Sequence, residues 1–447
     1  MGGGAVIQLI AYGVQNIQIN GNPQITYFKQ VYRRHTNFAM ESIQQDIFGN
    51  LTPGSKVSVT IARNGDLLSN LTIQFNPSLI VPENDGVVNT IATNFGHSLF
   101  DNLEIEIGGQ LIDRHYSIWL TIWRDLTTLG VSEKQEQVTA NGREPYYTNL
   151  YNRMAYTHFQ HFDTLSSNPD VGTWGAPTEA YVPMQFWFCK NPGLALPLIA
   201  LQYHEVKFNF TLASKELLVG LYEGSDYTEI ELDLTSVKVF ADYIYLDTTE
   251  RKRFAQDAHE YLIEQLQYQS YDDNIISNNT ITILLNFQHP VKELVFSGQP
   301  NKKPFYGPSG SSKGPAFPER IVYRIPELPD IQASDVSNVK MTLTFNQLSR
   351  FTPRNIKYFT RSQIWENHTG AGSLIQTDSI GVYSFALRPE EHQPSGTCNF
   401  SRITNPRMVF SDFEQAVGER LSNLDIFAVN YNVLRIMSGM GAVAFAS

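Results

Sequence analysis

The chain has 447 residues, of which 42% are hydrophobic and only 17% are charged. This composition excludes a mostly disordered chain, because disorder requires low hydrophobicity and high charge. The formal net charge of −11 argues against a protein that coats nucleic acid, since that role needs surplus Lys and Arg. The two cysteines, Cys189 and Cys398, are too few for a disulfide scaffold or a Cys-rich zinc site. The length predicts two to four domains of about 100–200 residues each.

No targeting or membrane segment is apparent in the sequence. A membrane-spanning helix needs about 20 mostly apolar residues, whereas the best apolar run, at 194–201, is shorter and contains Pro197. Secretory signals open with positive charge, but the first basic residue here is Lys29. We therefore expect the protein in the cytosol or in a particle assembled there.

Alternation of apolar and polar residues with a period of two dominates the chain. Successive side chains of a strand point to opposite faces, so each alternating set predicts a half-buried strand of an antiparallel sheet. The apolar members are Val57, Val59 and Ile61; Leu71, Ile73 and Phe75; Leu103, Ile105 and Ile107; Val206, Phe208, Phe210 and Leu212; Ile281, Ile283, Leu285 and Phe287; and Val339, Met341, Leu343 and Phe345. Gly, Pro and Asn lie between the sets, a pattern typical of sandwiches and barrels.

Two helices are predicted. The first has the i, i+3, i+4, i+7 apolar spacing of an amphipathic helix. Its apolar residues are Tyr116, Trp119, Leu120 and Trp123. The second begins near Thr248, because Asp247 with Glu250 three residues later resembles a capping box. It would lie mid-chain, where a linker between domains is expected.

Four short segments recur in the same order in both halves of the chain. The pairs are 40–44 with 263–267, the strand ending before Gln110 with the strand ending at Gln347, Phe186-x-Phe188 with Tyr383-x-Phe385, and 239–241 with 426–428. Four matches in the same order indicate two similar β-domains in tandem, each of about 200 residues. Their spacing implies a longer excursion in the first half, between Gln110 and Phe186, which contains the first helix and the polar stretch 132–174.

No motif has the context that catalysis or metal binding would need. His158-x-x-His161 with Asp163 has metal-like spacing, but no further ligand cluster accompanies it, so we interpret it as a polar loop. The stretch 310–314 matches a hydrolase nucleophile elbow in letters only, because Gly and Pro flank it instead of a strand and a helix. Cys189 is interpreted as a buried, inert thiol in a strand at 186–188. We predict no enzyme activity, no cofactor and no metal site.

Six Asn-x-Ser/Thr sequons are acceptors in principle for N-linked glycans. They begin at Asn50, Asn70, Asn209, Asn278, Asn367 and Asn399. Asn70 and Asn209 lie within or beside predicted strands, and glycan attachment requires exposure. The candidate N-glycosylation sites are therefore Asn50, Asn278, Asn367 and Asn399.

Several long runs resemble one protein family. They are 8–13, 21–34, 63–67, 103–110, 192–206, 394–402 and 430–439. The second run reads Gly-Asn-Pro-Gln-Ile-Thr-Tyr-Phe-Lys-Gln-Val-Tyr-Arg-Arg. Together the runs resemble the major capsid proteins of nucleocytoplasmic large DNA viruses, with those of the algal phycodnaviruses nearest. They span nearly the whole chain, although the loops 130–174 and 297–318 carry no match.

The resemblance implies an all-β fold of two tandem eight-stranded antiparallel jelly rolls with few short helices. It implies a homotrimer that forms pseudo-hexagonal capsomers, which tile the icosahedral shell of a large double-stranded DNA virus. The implied partners are neighbouring capsomers and minor capsid proteins under the shell, with the internal viral membrane reached indirectly and no direct contact with nucleic acid. The implied location is the virion capsid, assembled in the host cell cytoplasm.

Three segments are predicted within this frame: an N-terminal arm at 1–26, a first jelly roll at 27–249 and a second at 250–447. The Gly-rich arm cannot build a core alone, so we expect it to dock on neighbouring subunits or on minor capsid proteins. The alternative is a jelly-roll carbohydrate-binding protein or a cupin-like enzyme, because the same fold also serves lectins and cupins. A cupin would need a His cluster with a carboxylate, and the ten His residues of this chain are scattered.

Overall fold

The structure is a computed structural model. It describes residues 3–11, 13–77, 88–91, 94–128, 133–139, 142–148, 150–157, 179–221, 228, 231–271, 280–300, 339–370, 380–411 and 421–445. The chain divides into two compact units, Met1–Phe38 and Ala39–Ser447. Among the described residues, no helix is long and apolar enough to cross a membrane.

The first unit contains only short helical segments. These are α1 (Gly4–Ile10), a 3-10 turn (Val14–Asn16) and α2 (Ile17–Asn20). None of the three has a buried residue. The described part of this unit therefore has no core of its own.

The second unit is mostly β. Its first half contains β1 (Phe38–Gln45), β2 (Ile47–Phe48), β3 (Lys56–Thr60), β4 (Leu67–Phe75), β5 (Val88–Ile91), β6 (Phe100–Ile107), β7 (Gln110–Tyr116), β8 (Glu133–Thr139), β9 (Gly142–Thr148), β10 (Ala180–Pro183), β11 (Leu196–Pro197), β12 (Val206–Leu212), β13 (Val219–Leu221) and β14 (Lys238–Leu246). Its second half contains β15 (His259–Tyr271), β16 (Thr280–Leu284), β17 (Pro290–Pro300), β18 (Lys340–Phe345), β19 (Leu348–Ser349), β20 (Arg354–Asn355), β21 (Gly381–Ser384), β22 (Cys398–Asn399), β23 (Arg407–Ser411), β24 (Leu421–Met437) and β25 (Met440–Val443).

The helices of this unit are short and lie between strands. They are α3 (Phe95–Ser98), α4 (Ser117–Thr127), α5 (Leu150–Ala155), α6 (Trp187–Lys190), α7 (Lys215–Leu218), α8 (Thr248–Gln256) and α9 (Gln363–Asn367). Both predicted helices are confirmed, as α4 and α8. Asp247 precedes α8, but its side chain does not make the predicted capping hydrogen bond.

The two halves have the same sheet topology. The first half forms sheets of order β1-β14-β4-β10 and β3-β12-β6-β7, and the second forms β15-β24-β17-β21 and β16-β23-β18-β19. In both halves the first strand pairs with the long strand near the end of that half, β1 with β14 and β15 with β24, and the pairings whose register is described are antiparallel. Each half is thus an eight-stranded jelly roll, which confirms the predicted fold class.

The strand register supports the internal duplication. Val239 lies opposite Ile73 in the first half, and Ile426 lies opposite Phe296 in the second. Ile73 and Phe296 are 223 positions apart, as are residues 40 and 263 at the first matched pair of segments. Two of the sequence matches therefore occupy equivalent positions in the two jelly rolls.

Alternation along the strands builds one core in each half. Val57 of β3 and Leu71 of β4 belong to one buried cluster, so the two sheets of the first half pack face to face. Met341 of β18 and Ile426 of β24 show the same for the second half. The apolar members of all six predicted sets are buried, apart from the partly buried Ile281 and Phe345.

One predicted strand is wrong. Residues 186–188 do not form a strand, because β10 ends at Pro183 and the chain turns into the short helix α6. Proline has no N–H to donate to a continuing ladder. The equivalent strands β10 and β21 begin 201 positions apart, four more than the matched motifs predict. The motif 158–163 and the stretch 310–314 lie outside the described residues. Within 132–174 the described residues are 133–139, 142–148 and 150–157.

Candidate functional site

The two jelly rolls meet at a seam, which we define as helix α4 of the first half and the facing strands β17, β21 and β24 of the second. Five residues of α4 face these strands. The seam's buried apolar residues are Ile118, Trp119, Ile122, Trp123 and Leu126 of α4, with Val295, Val382, Phe427 and Val429 of the strands and Ile364 and Ile380 beside them. The ring of Trp119 lies 5.2 Å from that of Phe427, centroid to centroid. The seam is therefore a third core between the two sandwiches.

The seam buries the strands of the second half on both faces. Along β24, Ile426 and Ala428 point into the second jelly-roll core, whereas Phe427 and Val429 point to α4. Leu120 of α4 belongs instead to the core of the first half. One amphipathic helix thus connects the cores of both halves.

The second half caps the C-terminus of α4. The last carbonyls of a helix lack partners within the helix. Here the Gly370 N–H donates to Leu126 O at 2.7 Å, and the Thr369 hydroxyl donates to Thr127 O at 3.0 Å. A Cβ on Gly370 would collide with the Asp125 carbonyl oxygen and the Leu126 carbonyl group, so the site requires glycine.

A buried ion cluster lies beside the apolar seam. The β17–β24 register shifts between Val291 and Glu293, and Lys292 at this bulge is fully buried. Its Nζ donates to Glu264 Oε1 and to Pro389 O, both at 2.6 Å. Glu264 Oε2 binds Lys190 of α6 at 3.2 Å. The cluster therefore links the first half to the second.

The carboxylate of Glu264 is held ionised by two cations. Burial alone would raise its pKa, but the charges and hydrogen bonds of Lys190 and Lys292 lower the pKa of Glu264 to about 2. Lys190 Nζ also lies 4.3 Å from the centroid of the Trp123 ring, a cation–π distance. Glu264 thus stays ionised over the whole neutral range.

A second charged group also lies beside Trp123. His368 Nδ1 binds Glu390 Oε1 at 3.1 Å, and its Nε2 lies 3.1 Å from Glu293 Oε2, an ion-pair distance outside hydrogen-bond geometry. The His368 ring meets Trp123 edge to face at 6.4 Å. Burial alone would lower the pKa of His368, but Glu293 and Glu390 raise it to about 9. His368 is therefore protonated at neutral pH.

Polar contacts extend the junction beyond the seam. The Leu266 N–H of β15 donates to Asp113 Oδ1 of β7 at 3.0 Å, and the Gln265 amide donates to Ile112 O. At the turn between β24 and β25, Gly439 O accepts from the Tyr203 N–H at 2.9 Å. Gly439 has a φ of +81°, and a Cβ there would lie 2.6 Å from the Tyr203 ring. The two halves are thus joined at several separate places.

The structure places three of the four candidate glycosylation residues. Asn50 is exposed in the loop between β2 and β3. Asn399 Oδ1 accepts from the Ser401 N–H at 3.1 Å, so that side chain is engaged in a local turn. Asn367 lies at the end of α9, where its Nδ2 donates to Gln363 O at 2.8 Å. Asn278 lies outside the described residues.

Neither cysteine has the lowered pKa of a reactive thiol. Cys189 and Cys398 are both free thiols. Burial raises the pKa of Cys189 to about 12 and also raises that of Cys398, so both are protonated at neutral pH. Within the described ranges, no group of three or more His, Cys, Asp or Glu side chains could hold a metal ion.

Sequence reasoning missed the charged residues that lie beside the seam. Lys292 and Glu293 stand together inside the apolar run 291–296, and paired charges in a buried strand could have indicated an internal ion cluster. No comparable signal marks Lys190, Glu264 or His368, because their partners come from distant parts of the sequence.

Comparisons with known proteins show the family. A model of the major capsid protein N-terminus matches residues 26–247, and a model of the large eukaryotic DNA virus major capsid protein matches residues 250–442. The major capsid protein of Pyramimonas orientalis virus is 40% identical over 100% of both chains. That of Paramecium bursaria Chlorella virus 1 is 38% identical over 99% of this chain and 100% of the relative.

Solved structures agree with these matches. A quasi-atomic model of the PBCV-1 virus capsid is 34% identical, with a TM-score of 0.67, and covers 94% of this chain and 100% of that one. The Faustovirus major capsid protein shares the fold, with a TM-score of 0.61. It is 13% identical and covers 95% of this chain and 94% of that one. The fold and the seam thus define a double jelly-roll shell protein. The chain belongs to the major capsid protein family of large eukaryotic DNA viruses, and it assembles into the virion capsid with other capsid subunits.

Replacing Lys292 with Met should destabilise the protein strongly. The change leaves Glu264 buried with only Lys190 as a counter-charge, and breaking a buried ion pair on one side costs about 3–5 kcal/mol. Urea unfolding followed by tryptophan fluorescence measures the loss. The matched control is Lys207→Met, because Lys207 Nζ lies 4.0 Å from the exposed Glu205 and should contribute less than about 1 kcal/mol. Equal losses in both variants would contradict a buried ion cluster.

Stability should fall as pH rises through about 9. Glu293 and Glu390 stabilise protonated His368, so its contribution is complete below its ordinary pKa of 6.5 and is lost above about 9. Between pH 6.5 and about 9, the free energy of unfolding in urea should fall further for the wild type than for His368→Gln. We expect the difference to be on the order of 3 kcal/mol. Superimposable pH profiles for the two proteins would rule out the ionised histidine.

Proposed function

We propose that three copies of this chain form a homotrimer whose six jelly rolls make a pseudo-hexagonal capsomer. The supporting observation is that two halves of identical strand order lie in one compact unit. Three copies of such a unit offer six similar sides while using only threefold symmetry. Capsomers of this shape tile the icosahedral shell of a large double-stranded DNA virus, assembled in the host cell cytoplasm.

The proposal assigns each part of the chain a structural role. The arm is 1–26, the first jelly roll is 27–249 and the second is 250–447; residues 27–37 of the first segment precede its first strand, β1. The seam fixes the two jelly rolls of one subunit relative to each other. The formal charge of −11 suits a shell that does not touch the genome directly. We propose no catalytic role, and no described contact favours the carbohydrate-binding or cupin alternative.

Purified protein should sediment as a trimer of about 150 kDa, three times the chain mass of 50.6 kDa. Broad interfaces of the obligate class, on the order of 2,000 Å² or more, should keep it assembled at micromolar concentration. Light scattering coupled to gel filtration measures the mass, and electron micrographs should show hexagonal arrays. A stable monomer would contradict the capsomer proposal.

We propose that the arm 1–26 docks on neighbouring capsomers or on minor capsid proteins under the shell, through which the internal membrane is reached. Its large apolar side chains are mostly exposed, for example Leu9 at 82% and Ile19 at 82%. Exposed apolar surface of this kind is typical of an unfilled contact.

Deleting residues 1–26 should leave soluble trimers that assemble poorly into shells, because none of the described arm residues is buried. Sedimentation of trimers and of assembled particles separates the two effects. The full-length protein is the control. Normal shell assembly by the truncated protein would refute a docking role.

We propose Asn50 as the sequon best placed to carry a glycan, because Asn50 and Thr52 are both exposed. At Asn367 the sequon hydroxyl of Thr369 is already bonded to Glu390 and to Thr127 O. Intact-mass spectrometry of protein from infected cells should show a glycan that Asn50→Gln removes and Asn367→Gln retains. Retention of the glycan in Asn50→Gln would exclude this site.

A further inference from the structure

The segment 27–35 of the first unit is basic, aromatic and exposed; we call it the basic strip. Its large apolar side chains are almost fully exposed: Tyr27 at 90%, Phe28 at 99%, Val31 at 81% and Tyr32 at 80%. Lys29, Arg33 and Arg34 lie between and after them and are exposed as well. The hydrogen bonds described within the strip are local, from the Phe28 N–H to Thr26 Oγ1 and between His35 Nδ1 and Thr36 O.

Charge is distributed unequally between the two units. Residues 1–38 contain three basic residues, Lys29, Arg33 and Arg34, and no Asp or Glu. The remaining residues, 39–447, contain 30 Lys and Arg against 44 Asp and Glu, a formal charge of −14. A small cationic segment is thus attached to a large acidic unit in every copy.

The number of cations decides between possible partners. Anionic lipid surfaces are recognised by clusters of about 4–8 Lys and Arg, and nucleic-acid binding proteins carry a basic excess over a whole domain. Three cations fall short of both. They do suit a protein–protein interface, where Tyr, Phe and Arg are enriched and complementary charge speeds association.

We propose that the basic strip of one copy docks on the acidic unit, Ala39–Ser447, of a second copy. The inference rests on the proposed self-assembly of this chain, and it names a contact that attracts one copy to another. Phe28 and Tyr32 supply the apolar contact, while Arg33 and Arg34 supply the charge that selects an acidic surface. Because each copy carries both charges, the contact joins like subunits without another protein.

The test compares two charge-reversed full-length proteins. Arg33→Glu/Arg34→Glu changes the strip, and Lys238→Glu/Lys252→Glu makes the same change in charge at two exposed lysines of the other unit. Sedimentation velocity measures self-association at two salt concentrations. The Debye length is about 30 Å at about 0.01 M salt and about 3 Å at about 1 M salt. We expect the strip variant to raise the dissociation constant about tenfold at low salt, with the control changed less than about threefold. Phe28→Ser/Tyr32→Ser should weaken association at both salt concentrations.

The outcomes separate this inference from the trimer proposal. A wild type that stays monomeric at every concentration would defeat the trimer proposal. A wild type that associates, with all three variants unchanged, would overturn only the role of the strip. The inference would also be overturned if the wild type floats with phosphatidylserine vesicles, and the strip variant loses that flotation while self-associating normally.

Discussion

Burial of helix α4 against the β15-β24-β17-β21 sheet of the second jelly roll is the interaction on which the subunit depends. An isolated jelly roll would leave Phe427, Val429 and Val382 facing water. The helix covers them with five large apolar side chains, and at about 1.5–3 kcal/mol per buried side chain the contact is worth on the order of 10 kcal/mol. The linker between the halves is helix α8, none of whose residues is fully buried. It contacts the first half through the partly buried Phe254 and the Arg251–Asp66 ion pair. The seam, with its much larger apolar core, is therefore the main contact that positions the two halves.

The charged residues beside the seam make this apolar contact specific for one arrangement of the two halves. Three cations, Lys190, Lys292 and His368, face three carboxylates, so the buried set is neutral as a whole. The bulge at Lys292 turns a charged side chain of a core strand toward the first half. Apolar side chains of similar volume could stabilise such a contact equally well. We interpret the ions as fixing one relative arrangement of the jelly rolls, because any sliding would leave a buried charge unpaired.

The fold class and the duplication were predictable from sequence, but only some of the strands were. Alternation identified six core strands, β3, β4, β6, β12, β16 and β18, and missed others such as β17 and β24. The match of 239–241 with 426–428 holds in strand register. The seam was predictable only as a helix: the spacing of Trp119 and Trp123 marks an amphipathic face but not its partner. The adjacent charges Lys292 and Glu293 could have indicated an internal ion cluster, but its partners could not be predicted, because Lys190 and Glu264 are 74 positions apart. The strand at 186–188 failed because aromatic residues favour strands, while Pro183 ends the strand pairing before them.

The central claim is that the seam is as stable as the jelly-roll cores it joins. Native-state hydrogen exchange, measured segment by segment in the full-length protein, tests this directly. The amides of α4 should exchange with the same opening free energy as those of β17 and β24, within about 1 kcal/mol, because helix and sheet open together. Exchange of α4 through a separate, much less costly opening, with β17 and β24 still protected, would contradict the claim.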